Sequence, residues 1–197
     1  MNTVQVVGGP GSGKTTLVKK LLEDWPGAAS LMRVDRYLVN KNSDDGGDFW
    51  LLPGSIDWPL IMAHIEQLSA GERAVMPVYD WAEGRRLRTP TPPPDEYVIR
   101  PCEWLIVEGL FYVPRINSIR LFVDAPPDVR RERSQARETR LSQSLGSAYD
   151  DVAEPAYTQY ILPQRNLAHF VLDGRLERDK LADLARRYLA TQWAGWG

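Results

Sequence analysis

The stretch at 4–16, VQVVGGPGSGKTT, fits the pattern G-x-x-x-x-G-K-[ST] in full, with its glycines, Lys14 and Thr15 at the fixed positions. The apolar run at 4–7 predicts a buried strand, and the pattern at 17–22 predicts a helix. Glycines in such a turn let backbone N–H groups point at a polyphosphate, and the helix N-terminus adds partial positive charge. The stretch predicts a nucleoside triphosphate site; a glycine-rich turn without a ligand is the alternative.

Each part of this phosphate loop has an expected role. We expect Lys14 to reach the outer phosphates and to assist catalysis, and the Thr15 hydroxyl to ligate Mg²⁺. The other nucleotide-binding residues expected from the motif are Gly9, Gly11, Ser12, Gly13 and Thr16. The expected cofactors are ATP and Mg²⁺.

The composition predicts one ordinary globular domain. The chain has 197 residues and a formal net charge of −2, which gives no reason to expect nucleic acid or an anionic membrane as a partner. Its single cysteine, Cys102, excludes an internal disulfide and suits a reducing compartment. No apolar run approaches the roughly 18 residues of a membrane span, so we expect a cytoplasmic protein.

Strand-like and helical patterns alternate along the chain, which predicts a three-layer α/β/α fold with a mainly parallel central sheet. The predicted strands are 3–7, 31–34, 74–78, 105–107, 119–123 and 170–172. The predicted helices are 14–24, one from Trp58 to Gly71, 127–141, 148–161 with a break or kink at Pro155, and 178–193. We expect a single P-loop NTPase domain over 1–197, with a substrate region at about 40–100. In that region we expect an acidic, glycine-rich mobile loop at 40–54 and, at 85–94 leading into 97–99, a small hairpin or an extended excursion from the sheet.

Acidic residues follow several predicted strands. In open parallel sheets ligands bind at the carboxyl ends of the strands, so Asp35 and Glu108 should converge beside the phosphate loop. Phosphoryl transfer needs Mg²⁺ and a base. We expect Glu108 in the metal shell and Asp35 as the base, with a metal contact as well. The alternative for each acid is a turn former or helix cap.

The helix predicted at 127–141 carries arginines at spacings of three, four and three: Arg130, Arg133, Arg137 and Arg140. At 3.6 residues per turn they share one stripe. Binding of an anion would offset the repulsion between these arginines, which predicts an arginine-bearing lid at about 126–145. In this lid we expect Arg133 to be catalytic and Arg130 and Arg137 to bind nucleotide. A solvated face partnered by Glu132 and Glu138 is the alternative.

Together these segments resemble the uridine kinase and phosphoribulokinase family of P-loop kinases. The resemblance rests on the phosphate loop and on five further segments in the same order: DRY from Asp35, SIDWP from Ser55, PVYDW from Pro77 with the RR pair ending at Arg86, IVEG from Ile106, and FVD from Phe122 through Arg133. A closing segment, YILP from Tyr160 followed by AH ending at His169, resembles the family's, with His169 replacing its usual Asp.

The resemblance implies a kinase in which Asp35 is the catalytic base. It also implies substrate contacts from five residues: Tyr37, Asp57, Tyr79, Trp81 and Arg86. The alternative for Tyr79 is that its side chain plugs the end of the sheet. Asp57 could equally be only the N-cap of the helix that starts at Trp58. For Trp58 itself we favour a packing role. Uridine kinases carry a His just before the Arg of the hairpin loop, where this chain has Gly84.

The function expected is transfer of the γ-phosphate of ATP to a hydroxyl of a nucleoside or small sugar-like metabolite. The alternatives are an ATPase or GTPase switch and a nucleotide-sensing protein without turnover. The guanine-reading pattern N-K-x-D is not matched, because Asn40-Lys41-Asn42 is followed by Ser43. Trp193 and Trp196 are candidates for docking a second copy in a homodimer.

Overall fold

The structure, a computed structural model, describes residues 1–25, 27–42, 44–46, 49–141 and 149–192, and no side chains at 137–141 and 149–150. Its strands are β1 Asn2–Gly8, β2 Ala29–Arg33, β3 Ala74–Val75, β4 Val78–Asp80, β5 Arg85–Leu87, β6 Val98–Ile99, β7 Trp104–Gly109, β8 Ile119–Asp124 and β9 Phe170–Asp173. Five of them form the central sheet in the order β2-β7-β1-β8-β9, and all of its neighbouring pairs are parallel.

The helices of the described chain are α1 Lys14–Asp24, α2 Trp58–Ser69, α3 Pro127–Leu141, α4 Glu154–Ala156 and α5 Arg178–Gln192. The short α4 continues π-helical turns at Tyr149–Ala153 and Tyr157–Ile161, followed by a 3₁₀ helix at Leu162–Leu167. Pro155 supplies no N–H to the helical ladder, and the predicted break takes the form of these irregular turns around it.

Side chains of the central sheet alternate between two cores. On β1, Val4 and Val6 pack with α1 and α5, whereas Val7 packs on the opposite face with α2. This is the period-two alternation of a strand covered by helices on both sides. The predicted α/β fold, with helices on both faces of a mainly parallel sheet, is confirmed.

The prediction of one strand at 74–78 in the parallel sheet is wrong. Pro77 interrupts the run because it has no N–H to donate, and the two halves join different partners. Strand β3 pairs antiparallel with β6, and β4 pairs antiparallel with β5. The second pair forms a hairpin with Tyr79 opposite Arg86. The small hairpin or extended excursion was expected at 85–94 leading into 97–99, but the two ends of that segment pair with β4 and with β3 instead of with each other.

The acidic, glycine-rich segment expected to be irregular is partly helical. Its described residues include 3₁₀ turns at Phe49–Leu51 and Pro53–Ser55, and Phe49 is buried. Lys41 N donates to the Gly84 carbonyl at 2.7 Å, which joins this segment to the hairpin.

Two expectations concern parts of the chain outside the described residues. One is the docking of a second copy by Trp193 and Trp196, and the other is the end of the predicted lid, beyond residue 141. Within the described residues, none of the helices has the length and apolarity that a membrane crossing requires.

Candidate active site

The phosphate loop connects the buried strand β1 to the start of α1. Gly11 and Gly13 have φ angles of 71° and 104°, in the left-handed region that favours glycine. A Cβ atom at Gly8 would lie 2.3 Å from the Val123 carbonyl oxygen, so the loop packs directly on β8. Lys14 Nζ donates to the Gly9 carbonyl at 2.9 Å, which folds the lysine back over the loop.

Glu108 ends β7 beside the phosphate loop. The register of the parallel sheet sets it opposite Val6 on one side and Arg33 on the other. Thr15 Oγ1 donates a hydrogen bond to Glu108 Oε1. The Glu108 side chain is buried, and its second oxygen has no hydrogen-bond partner in the described part of the chain.

These groups fit a magnesium site. Mg²⁺ binds hard oxygen ligands and takes one or two carboxylates together with substrate phosphates, rather than a cage of protein ligands. The Thr15 hydroxyl and the buried, half-satisfied Glu108 carboxylate are such ligands. Among the described residues, no three or more His, Cys, Asp or Glu side chains group together in a way that could hold a metal ion by themselves. Buried Ser12 Oγ, also without a partner there, adds a donor on the loop.

Asp35 lies in a 3₁₀ turn, Val34–Tyr37, that follows β2 directly. The residue is exposed overall, yet the surrounding protein desolvates its carboxyl group and raises its pKa. The charge of Glu108 raises this pKa further, whereas Arg33, Arg36 and Lys14 oppose the shift. Asp35, Glu108 and Lys14 are therefore close enough for their charges to interact at one edge of the sheet.

The raised pKa of Asp35 predicts a stability difference that depends on pH. A carboxyl whose pKa is higher in the folded state costs stability as pH rises from its unfolded value through the folded one. Without nucleotide and Mg²⁺, Asp35→Asn should therefore raise the melting temperature by about 1–3 °C at pH 7, because the exposed side limits the penalty. Near pH 3, calorimetry should give the same melting temperature for both proteins. A difference in melting temperature that stays constant at all pH values would show that the raised pKa of Asp35 is not its cause.

Arg133 reaches the phosphate loop from α3. Its Nη1 donates to the Gly174 carbonyl at 2.7 Å and lies 3.5 Å from the Gly11 carbonyl. Gly174 belongs to the turn after β9, and a Cβ atom there would meet the Ser12 carbonyl at 2.1 Å. Arg133 thus lies beside the loop at Gly11, and the residue is exposed.

Arg130 does not share this position, and its burial does not support the expected role in binding nucleotide. It is only 1% exposed, with its Nη2 donating to both carboxylate oxygens of Glu154 at 2.7 and 2.8 Å. The helix turns Arg130 inward because α3 packs on the segment that contains α4. The side chains of Arg137 and Arg140 lie outside the described residues.

Asp57 and Arg86 bind each other beside the 3₁₀ turn that contains Tyr37. Asp57 Oδ1 accepts from Leu60 N at 3.0 Å as the N-cap of α2, and Oδ2 accepts from Arg86 Nη1 at 2.9 Å. Arg86 also donates to the carbonyls of Leu38 and Tyr37, at 2.8 and 3.0 Å. Both oxygens of Asp57 are therefore engaged, and an acceptor hydroxyl would have to share the second one.

Tyr37 is fully buried, so the structure does not support the expected contact of its side chain with substrate. Its hydroxyl is hydrogen-bonded to His64 Nδ1 at 2.8 Å, and burial lowers the pKa of that histidine. The pair ties the turn that carries Asp35 to α2. Tyr37 therefore positions the turn from within the core.

Three aromatic rings cluster on the hairpin: Trp50, Tyr79 and Trp81, with centroids 5.4–5.6 Å apart. Trp81 is 41% exposed, whereas Tyr79 is buried and its hydroxyl donates to Val39 O at 3.3 Å. Lys41 Nζ lies 5.4 Å from the Trp50 ring centroid, in a cation–π contact. Trp58 has the packing role we favoured, since its Nε1 donates to Pro53 O at 3.0 Å.

Sequence reasoning missed Lys41 and Gly84 as neighbours and the contacts of Glu154, Tyr157 and Gly174 with the loop region. Gly84 has a φ of 65°, and a Cβ atom there would lie 3.1 Å from Lys41 Cβ and 3.4 Å from the Trp50 ring. The Asp173-Gly174 pair after a predicted strand was an available turn signal. No pattern in the sequence indicated the contacts of Glu154 and Tyr157, because these contacts join segments more than twenty residues apart.

Comparison with known proteins matches residues 3–181 to the model of the Phosphoribulokinase / Uridine kinase family. The chain is similar to a uridine kinase of Deinococcus deserti, at 27% identity over 95% of each chain. It is also similar to a uridine kinase of Lactobacillus johnsonii, at 28% identity over 92% of this chain and 90% of the relative.

A solved structure shares the fold. It is a putative fructose transport system kinase from Silicibacter sp. TM1040, with a TM-score of 0.59 and 20% identity over 86% of this chain and 88% of that one. The match to the family model extends from β1 to the start of α5 and so includes every site residue described above. The chain belongs to the phosphoribulokinase and uridine kinase family, and it is a kinase.

Proposed function

We propose that this kinase transfers the γ-phosphate of ATP, with Mg²⁺, to a hydroxyl group of a nucleoside or a small sugar-like metabolite. The observation that carries the proposal is the meeting of three groups at one sheet edge: the raised-pKa carboxyl of Asp35, the Thr15–Glu108 pair and Lys14. Holding a nucleotide requires only the loop and its cation, whereas transfer to an alcohol also requires a base.

Asp35 is the base in this proposal. Its carboxylate accepts the proton of the acceptor hydroxyl as the oxygen attacks the phosphorus atom. A pKa raised by desolvation and by Glu108 makes Asp35 a better proton acceptor than an ordinary aspartate. Exposure of the residue leaves it open to an acceptor arriving from solvent.

Lys14, Thr15 and Glu108 hold the phosphate end. Backbone N–H groups of the phosphate loop cradle the β-phosphate, and Lys14 neutralises the outer phosphates on leaving the Gly9 carbonyl. Thr15 and Glu108, with Asp35 nearby, would hold Mg²⁺, which when bound neutralises charge on the transferring group. Arg133, at the Gly11 side of the loop, donates to phosphate oxygens in the same proposal.

The acceptor end is supported by the aromatic cluster and the Asp57–Arg86 pair. An exposed tryptophan face such as that of Trp81 packs on flat rings and on the C–H faces of sugars. The polar pair beside Tyr37 offers both a donor and an acceptor for hydroxyl groups. Lys41 and Trp50 pack close to Gly84. This end of the site therefore differs from one in which a histidine occupies that position.

The proposal is tested by measuring ADP release from ATP and Mg²⁺ with a panel of nucleosides, sugars and polyols. We expect one class of acceptor to stimulate turnover at least about tenfold over the acceptor-free rate, with a phosphorylated product visible by mass spectrometry. Lys14→Met should abolish both signals. Turnover that no acceptor changes would indicate an ATPase, and nucleotide binding without any turnover would indicate a sensor.

A further inference from the structure

We propose that Arg130, Glu154 and Tyr157, here called the clasp, are positioning residues that fix the phosphate loop for nucleotide binding. The inference rests on the proposed nucleotide site but concerns residues that pack against the phosphate loop from the neighbouring segments. Arg130 comes from the first turn of α3 and the other two from the segment containing α4. The clasp therefore joins two segments that are far apart in the chain, directly against the loop.

The Arg130 side chain contacts a main-chain carbonyl, a carboxylate and an aromatic ring. Its Nε donates to the Ala125 carbonyl at 3.0 Å, and its Nη2 makes two hydrogen bonds to the Glu154 carboxylate. The guanidinium carbon lies 3.5 Å from the centroid of the Tyr157 ring, a close cation–π contact. A buried guanidinium that is hydrogen-bonded to a carbonyl and to both oxygens of a carboxylate has little freedom, and the Tyr157 ring packs against it.

The clasp touches the loop at two glycines. A Cβ atom at Gly9 would lie 2.7 Å from the Tyr157 ring and 3.3 Å from Arg130 Cδ. A Cβ atom at Gly11 would lie 2.3 Å from the Arg130 carbonyl oxygen. Because Gly9 and Gly11 have no side chains to anchor them, the loop backbone takes its support from Tyr157 and the Arg130 backbone.

The functional consequence follows from how the loop binds phosphate. Its backbone N–H groups must all point at one anion, and a shift of the loop by a fraction of an ångström weakens several of these hydrogen bonds together. The clasp lies on the phosphate-loop side of the site, whereas acceptor contacts are assigned to the hairpin and α2. Loosening the clasp should weaken nucleotide binding and leave acceptor binding unchanged.

The test measures the dissociation constant of ADP by titration calorimetry, well below the melting temperature of every variant. Tyr157→Leu, which removes the ring from Gly9, should raise this constant about tenfold or more, and Tyr157→Phe, which keeps the ring, should restore most of the affinity. In steady-state assays KM for ATP should rise while KM for the acceptor stays within about twofold. Tyr160→Leu, a half-buried tyrosine of the same segment, is the matched control and should leave the ADP constant unchanged.

A double-mutant cycle tests the contact itself. Gly9→Ala should weaken ADP binding strongly, because the new methyl group meets the Tyr157 ring. In a Tyr157→Leu background the same change should cost less, since the ring is gone. Strictly additive effects would overturn the inference, as would equal losses in Tyr157→Leu and Tyr160→Leu.

Glu154→Gln gives an independent measurement. It keeps the shape of the side chain but leaves the buried Arg130 charge without its carboxylate, so we expect weaker ADP binding as well as a lower melting temperature. A fall in melting temperature with unchanged ADP affinity would assign the clasp a structural role only. If the unaltered protein itself bound no nucleotide, the proposed function would fail instead, so the two failures are distinguishable.

Discussion

Asp35→Asn should lower kcat for phosphoryl transfer by about 10²–10⁴-fold, the usual contribution of a general base. The amide has nearly the same shape as the carboxylate but cannot accept the proton of the acceptor hydroxyl. Because the pKa of Asp35 is raised by desolvation and by Glu108, its charge is a cost to the folded state, and the variant should be at least as stable as the original at pH 7. Steady-state kinetics and thermal melting measure the two effects separately.

Asp95→Asn is the matched control for this variant. Asp95 also lies in a 3₁₀ turn, Asp95–Tyr97, but it is exposed and paired with Arg100. Its loss should leave kcat within about twofold, as for most surface substitutions. If Asp35→Asn retained more than about a tenth of the original kcat, Asp35 would not be the base.

Arg133→Ala should lower kcat by about 10³-fold, because an arginine that contacts the transferring group stabilises the charge of the transition state. The residue is exposed and its main contact is one carbonyl, that of Gly174, so the melting temperature should change by about 2 °C or less. The comparison of kcat with melting temperature separates a catalytic role from a structural one.

Arg131→Ala provides the control on the same helix, where Arg131 is also exposed. We expect it to leave kcat within about twofold, because a residue two positions away points about 200° around the helix from Arg133. Equal activity of Arg133→Ala and the unaltered protein would sink the assignment. Lysine at position 133 should recover part of the activity, since it keeps the charge but not the planar fork of donors.

Most of the fold was predictable because its signals are local. The phosphate loop is one contiguous stretch whose glycines are required by backbone angles at Gly11 and Gly13. The strands β1, β7 and β8 are short apolar runs buried on both faces, as expected for a parallel sheet. The run at 74–78 has the same appearance, but Pro77 and the choice of partner strand placed it elsewhere.

The candidate site was predictable only in part. Asp35 and Glu108 were expected together because parallel strands end at one edge, and their interacting charges agree with this expectation. Arg130 and Arg133 could not be told apart, since residues three positions apart share a helix face and only the neighbouring segment decides which becomes buried. The burial of Tyr37 could not be predicted either, because it depends on packing against α2, where its hydroxyl contacts His64.

The sequence by itself determined that a phosphate-loop motif precedes a helix and that Asp35 and Glu108 lie at the ends of strands, because those features are fixed by residue type and short spacing. Only the tertiary structure decided which arginine lies under the loop and which beside it, and that Asp57 is engaged by Arg86. Contacts of this kind join residues tens of positions apart. Their geometry depends on how whole elements pack, which no local pattern records.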